Sequence, residues 1–145
     1  MKLFIANDHA GVQLKKALLS YIKNLSVDTE DLGCFIEESV DYPDYATLMA
    51  ESIALQPDAL GILICGSGIG MSIAVNRHPH IRAALCHNEE YAQLAKAHNN
   101  ANVLVLGARF TDEAEAISIL TAFLKTKFEG GRHQARLDKL GCDNK

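Results

Sequence analysis

The chain has no basic run, no apolar stretch long enough to span a bilayer, no C-x-x-C pair and no low-complexity segment. Each absence excludes something. With 14 Lys and Arg against 18 Asp and Glu, the formal net charge is −4. That balance argues against a general nucleic-acid or anionic-membrane surface. Without a membrane-length run there is no candidate transmembrane helix. The opening segment Met1–Ala6 is too short for a signal h-region and meets Asp8 at once, so a cytoplasmic protein is expected. The four cysteines, Cys34, Cys65, Cys86 and Cys142, show no paired spacing and read as free thiols in a reducing compartment. What is present is an ordinary globular composition, 48% hydrophobic over 145 residues, expected to form one domain with one core across 1–145.

The patterning alternates short apolar runs with amphipathic segments. Strands are expected at Lys2–Ala6, Ser26–Leu32, Ala59–Cys65, Ile81–Cys86 and Asn102–Leu106. The second alternates polar and apolar residues and reads as a sheet edge, whereas Ala59–Cys65 is continuously apolar, as a central parallel strand covered on both faces would be. Helical spacing follows each strand. Asp41-Tyr42-Pro43 is a helix-start signal, Asn88 opens another helix, Thr111 is expected to cap a helix running on to about Glu129, and Arg132–Leu140 could form one short helix. Five strands alternating with helices predict a three-layer α/β/α sandwich, Rossmann-like, around a parallel sheet. In such sheets ligands sit beyond the carboxyl ends of the strands. Asp8, His9, Cys65 to Gly70 and Arg109 fall there; His98 and Asn99 fall at a helix end and are not placed at that rim.

The sharpest stretch is Ile62–Ile73, I-L-I-C-G-S-G-I-G-M-S-I, where a buried strand stops at Cys65 and turns through Gly66-Ser67-Gly68-Ile69-Gly70 toward a helix. Such a turn can aim backbone N–H groups at an anion, beside a sulfur whose thiolate a helix N-terminus favours. Two nucleotide motifs fail. A Walker loop would need Lys where Met71 stands, and the dinucleotide fingerprint would need glycine at Met71 and an acid near Cys86. The loop is left as a cradle for an oxyanion or sugar hydroxyls, with Ser67 as an added partner. Cys34, Cys86 and Cys142 lack that context and read as structural or surface thiols.

His78 and His80 flank Pro79 and read as solvated, while His9 and His98 adjoin the polar Asp8 and Asn99. A metal site from Cys65, His9, His98 and Asp8 has no ligand spacing behind it, so neither metal nor cofactor is expected. Arg132 and Arg136 stand four apart, share a face if helical, and repel unless an anion lies between them, which points to a phosphate-bearing ligand.

The segments N-D-H-A-G (Asn7–Gly11), D-Y-P-D-Y-A (Asp41–Ala46), G-I-L-I-C-G-S-G-I-G-M-S-I-A-V-N (Gly61–Asn76), H-N-N-A-N-V-L-V-L-G-A-R (His98–Arg109) and E-G-G-R-H-Q-A-R (Glu129–Arg136) together resemble the ribose-5-phosphate isomerase B family, which also holds galactose-6-phosphate isomerase subunits. The resemblance implies interconversion of ribose 5-phosphate and ribulose 5-phosphate without a metal. It implies Cys65 as the base between C1 and C2 and His98 as the ring-opening acid. Asp8 and Asn99 would contact sugar oxygens, and the Gly66, Ser67, Gly68, Ile69 and Gly70 loop would stabilise an enediolate. His9, Arg109, Arg132 and Arg136 would gather hydroxyls and phosphate, with Asp41 and Tyr42 lining the pocket. A second class of the family carries its base as a glutamate at the Met71 position, so this chain sides with the thiol class. The family implies a homodimer, which can pair further into a tetramer, with sites shared across the interface and the tail 130–145 contributing. Two other readings stand beside it: an isomerase of six-carbon phosphates such as galactose 6-phosphate or allose 6-phosphate, and a catalytically silent phosphate- or nucleotide-binding module.

Overall fold

The computed structural model describes residues 1–140; Cys142 and the last part of the expected tail lie outside the described residues. The elements in chain order are β1 (Lys2–Asn7), a 3-10 turn (His9–Gly11), α1 (Val12–Ile22), β2 (Asp28–Gly33), α2 (Tyr42–Leu55), β3 (Leu60–Cys65), α3 (Ile69–Val75), β4 (Ala83–Leu85), α4 (Glu89–Asn99), β5 (Val103–Gly107), α5 (Glu113–Lys125) and α6 (Arg132–Leu137). All strand pairings are parallel, in the order β2-β1-β3-β5-β4. This is the expected five-stranded α/β sandwich.

Period-two alternation sorts the strand residues onto two faces. Leu3, Ile5, Ile62, Ile64, Leu104 and Leu106 meet α1, α4 and α5 through Leu14, Leu18, Ala92, Ile119 and Phe123. Phe4, Ala6, Leu63, Cys65, Val103 and Val105 meet α2 and α3 through Met49, Ile53, Met71 and Val75. Right-handed crossovers account for this division. The chain leaves β1 and β5 toward the first face and leaves β3 toward the second. β3 is therefore flanked by a topological switch on each side, and its exit loop opens into the crevice between them.

Several local expectations are corrected. The α5 cap is Asp112, whose carboxylate accepts from the Glu115 N–H at 2.8 Å; Thr111 is buried one residue earlier. α5 stops at Lys125, and 126–131 form neither helix nor strand before α6, with Gly130 and Gly131 at positive φ. β4 shrinks from six expected residues to Ala83–Leu85, at the sheet edge opposite β2. Asp41 does stand at the α2 N-cap, with no side-chain bond to the helix. His80 is exposed as expected, and its ring nitrogen also pairs with the Ala50 carbonyl at 2.8 Å. Of the two expected alternatives, Cys34 and Cys86 take the structural one: both are buried, and burial pushes the Cys86 thiol up to about 12. No helix of the described residues is long and apolar enough to cross a membrane.

Candidate active site

Two groups of polar side chains stand apart on the chain. The first surrounds the end of β3. Cys65 is 4% exposed, and its Sγ accepts the Gly68 N–H at 3.1 Å. Gly68 can supply it because it adopts φ +80, a left-handed conformation open to glycine, and because a Cβ there would collide with Leu85. The loop also closes on itself, the Ile69 N–H donating to Ser67 Oγ at 3.2 Å. α3 has only seven residues, so this specific N–H, rather than a long helix dipole, is what reaches the sulfur.

The neighbouring loops are tied to this turn. The Ala108 N–H donates to the Cys65 carbonyl at 2.8 Å and the Arg109 N–H to the Gly66 carbonyl at 2.9 Å. The exposed Arg109 guanidinium then lies over Gly66, where a Cβ would stand 3.1 Å from Cζ. Tyr42, the first residue of α2, covers Gly70 in the same way: a Cβ there would stand 2.6 Å from the ring Cζ. On the other side the Asp8 N–H donates to the Ile64 carbonyl at 3.0 Å, which sets Asp8 beside Cys65. The Asp8 carboxylate is 6% exposed and accepts the Ala10 N–H at 2.9 Å. His9 Nδ1 accepts the Val40 N–H at 3.2 Å, just before Asp41. With Nδ1 so occupied, the neutral ring carries its proton on Nε2 and presents a donor. Cys65, the 66–70 loop, Asp8, His9, Asp41, Tyr42 and Arg109 thus share one rim. Met71, beneath the loop, is fully buried and carries no titratable group.

The second group lies at the amino ends of the strands. α4 ends at Asn99, shortly before β5 starts at Val103, opposite Gly61. Four strand residues, about 13 Å, separate that end from Cys65, which stands opposite Gly107. α4 also covers the other face of the sheet from Cys65. Here His98 and His133 stack, with ring centroids 4.3 Å apart and planes 12° from parallel. Glu129 Oε1 lies 3.7 Å from Nε2 of each. The Glu129 N–H donates to the Ala97 carbonyl at 3.0 Å, which fastens the tail to the last turn of α4. His133 is buried and held below the usual histidine range, first by that burial and then by the charges of His98, Arg132 and Arg136, with Glu129 opposing. Arg132 and Arg136 are exposed on α6, and Asn99 lines a cavity of about 400 Å³ with Asn76, Arg82 and Leu140. Sequence reasoning did not single out Glu129 or His133; their four-residue spacing on either side of Gly130-Gly131 is the signal that could have drawn attention to them.

A buried thiol that accepts one loop N–H and faces a crevice is suited to moving a proton at carbon next to a carbonyl, and the arginines and histidines are suited to an anionic, hydroxyl-rich ligand. The chain is similar over nearly its whole length to proteins of known activity. Ribose-5-phosphate isomerase B of Escherichia coli K12 is 39% identical over 139 residues, 96% of this chain and 93% of that protein. A ribose 5-phosphate isomerase structure from Thermotoga maritima superposes with a TM-score of 0.92 at 48% identity, covering 95% of each chain. Ribose-5-phosphate isomerase B of Mycoplasma genitalium, solved with bound ribulose-5-phosphate, superposes with a TM-score of 0.91 at 46% identity over 95% of this chain and 92% of that one. The sequence profile of the ribose/galactose isomerases matches residues 3–140, and the chain belongs to that family.

Proposed function

We propose that the protein is an aldose–ketose isomerase interconverting ribose 5-phosphate and ribulose 5-phosphate, with Cys65 as the base. The observation that carries this reading is the buried Cys65 Sγ at the end of β3 with the Gly68 N–H on it at 3.1 Å; the ribulose-5-phosphate held by the Mycoplasma genitalium relative gives the substrate class. Ring opening comes first. The furanose C1–O4 bond breaks, O4 takes a proton from His98, and the C1 hydroxyl proton passes to water to leave the aldehyde. The Cys65 thiolate then removes the C2 proton, and charge moves onto O1 as the enediolate forms. The O2 proton shifts to O1, the thiol returns its proton to C1, and the ketose results with no net gain or loss of protons. The loop N–H groups and Ser67 hold the enediolate oxygens where negative charge develops. Asp8 and Asn99 contact sugar hydroxyls, Asp41 and Tyr42 bound the pocket, and His9, Arg109, Arg132 and Arg136 gather the remaining hydroxyls and the phosphate. Phosphate binding remote from C1 and C2 supplies energy that orients the reacting carbons.

One chain does not bring His98, Asn99, Arg132 and Arg136 to Cys65, since α4 and the tail fastened to it lie on the other face and at the amino ends of the strands. A homodimer in which each tail and α4 end completes the partner's thiol rim resolves this, with 1–145 acting as a single domain. The test is conversion of ribose 5-phosphate in deuterium oxide. Deuterium should enter C1 of the ribulose 5-phosphate formed, and five-carbon phosphates should be turned over faster than galactose 6-phosphate or allose 6-phosphate. Faster turnover of a six-carbon phosphate reassigns the substrate. Absence of any exchange or conversion overturns the isomerase reading.

A further inference from the structure

Glu129 and His133 form a cluster with His98 for which the isomerisation steps give no use. Donor atoms of the three lie within 4.8 Å of one another, a set that could be read as a cation site. The geometry opposes that. Zinc at about 2.1 Å from each ligand would need donors roughly 3.4 Å apart with lone pairs converging on one point. Here the imidazole planes are only 12° from parallel, and each Nε2 stands 3.7 Å from the carboxylate. The guanidinium charges of Arg132 and Arg136, which help to lower His133, also repel a cation.

The same features fit proton handling. His98 is 38% exposed at its side chain and stands where it can meet a ligand; His133 is 8% exposed and packed behind it. Two stacked imidazoles cannot both be charged cheaply. Burial and the nearby cations hold His133 below the usual histidine range, which favours its neutral form against the stacked His98 ring. The Glu129 carboxylate, near both rings, supplies a counter-charge for one imidazolium. Its backbone is pinned to α4 through Ala97, one residue from His98.

We propose that Glu129 and His133 are positioning residues for His98, the carboxylate orienting its imidazole along the Nε2 edge and the buried ring fixing its plane by stacking. This rests on the isomerase reading, in which His98 supplies the ring-opening proton. A group devoted to ring opening serves the cyclic aldose and is idle in enolisation of the acyclic ketose, and that difference gives the test. Solvent deuterium exchange into C1 of ribulose 5-phosphate reports Cys65 alone, whereas conversion of ribose 5-phosphate needs both steps.

The experiment compares Glu129→Gln and His133→Phe with the wild type in both assays. Expected is a loss of ribose 5-phosphate conversion of about 10- to 100-fold, with exchange into ribulose 5-phosphate changed less than about threefold. Glu129 is 56% exposed at its side chain, so its variant reports even if the buried His133 variant folds poorly. Equal loss in both assays would mean that the residues merely seat the arginine-bearing α6, and would overturn the proposal. Unchanged conversion would overturn it too. A wild type lacking both exchange and conversion would instead refute the isomerase reading and this inference with it.

Discussion

At the scale of single residues, the proposed reaction rests on Cys65 and Gly68, the sulfur as its base and the glycine as the donor that faces it. Cys65→Ala should lower ribose 5-phosphate conversion about 10³-fold while leaving the thermal midpoint within a few degrees, as followed by circular dichroism. Undiminished conversion in a folded variant would remove Cys65 from the mechanism. Gly68→Ala should do the reverse of a clean knockout. Its φ of +80 and the collision with Leu85 should cost about 2–4 kcal/mol of stability, read as a lowered urea midpoint, with activity falling as the N–H leaves the sulfur. Both residues were legible in the sequence, because a continuous apolar run ending in Cys-Gly-Ser-Gly leaves little choice of where the strand stops. Glu129 and His133 were not. Their meaning comes from a fold-back that sets Glu129 against Ala97, thirty-two residues earlier, and no local spacing encodes that contact. The Ala50 carbonyl that meets the exposed His80 ring is likewise thirty residues away and has no local signal.

At the scale of elements, strand and helix types followed from hydrophobic period, while boundaries depended on side chains that imitate backbone. β4 was expected over Ile81–Cys86, yet only Ala83–Leu85 pairs in the sheet. Its open side is met by Asn76, whose Nδ2 donates to the Ala83 carbonyl at 3.0 Å and whose Oδ1 accepts the Ala83 N–H at 2.8 Å. One side-chain amide thus does what a further strand would do, and closes part of the sheet edge. Asn76→Ala should cost about 1–2 kcal/mol and speed amide hydrogen exchange at Ala83 above that of the interior strands; unchanged exchange there would show that the amide pair does not hold the edge. A second element-scale lock is Lys15 on α1, buried, with Nζ 2.9 Å from Asp31 Oδ1, 2.6 Å from the Cys34 carbonyl and 4.5 Å from the Phe35 ring centroid. An amphipathic reading places Lys15 on the solvent side of α1, and only the return of the chain after β2 explains its burial. Because Asp31 keeps partial exposure, Lys15→Ala should destabilise by about 1–3 kcal/mol, with the added loss falling on the loop from Cys34 to Val40 that carries the His9 contact.

At the scale of the whole molecule, the parallel sheet separates what the proposed chemistry must unite. The thiol rim faces the crevice beside β3, and α4 delivers His98 to the amino ends of the strands on the opposite face. Sequence order could list both groups but could not reveal this, because strand order and crossover side appear only on folding. A two-fold dimer with shared sites makes a prediction that a one-chain site does not. Cys65→Ala and His98→Ala homodimers should each be impaired at both of their sites. In a mixed dimer, one site joins two altered residues, and the other joins the intact Cys65 of one subunit to the intact His98 of its partner. Random reassortment of equal amounts, after mild denaturation and refolding together, makes half the dimers mixed, each with one sound site. Activity should therefore recover to about a quarter of the wild-type value, measured as ribose 5-phosphate conversion per subunit. Were both residues drawn from a single chain, every site in the mixture would carry one lesion, and activity would stay at the average of the two separate variants however long the subunits exchanged.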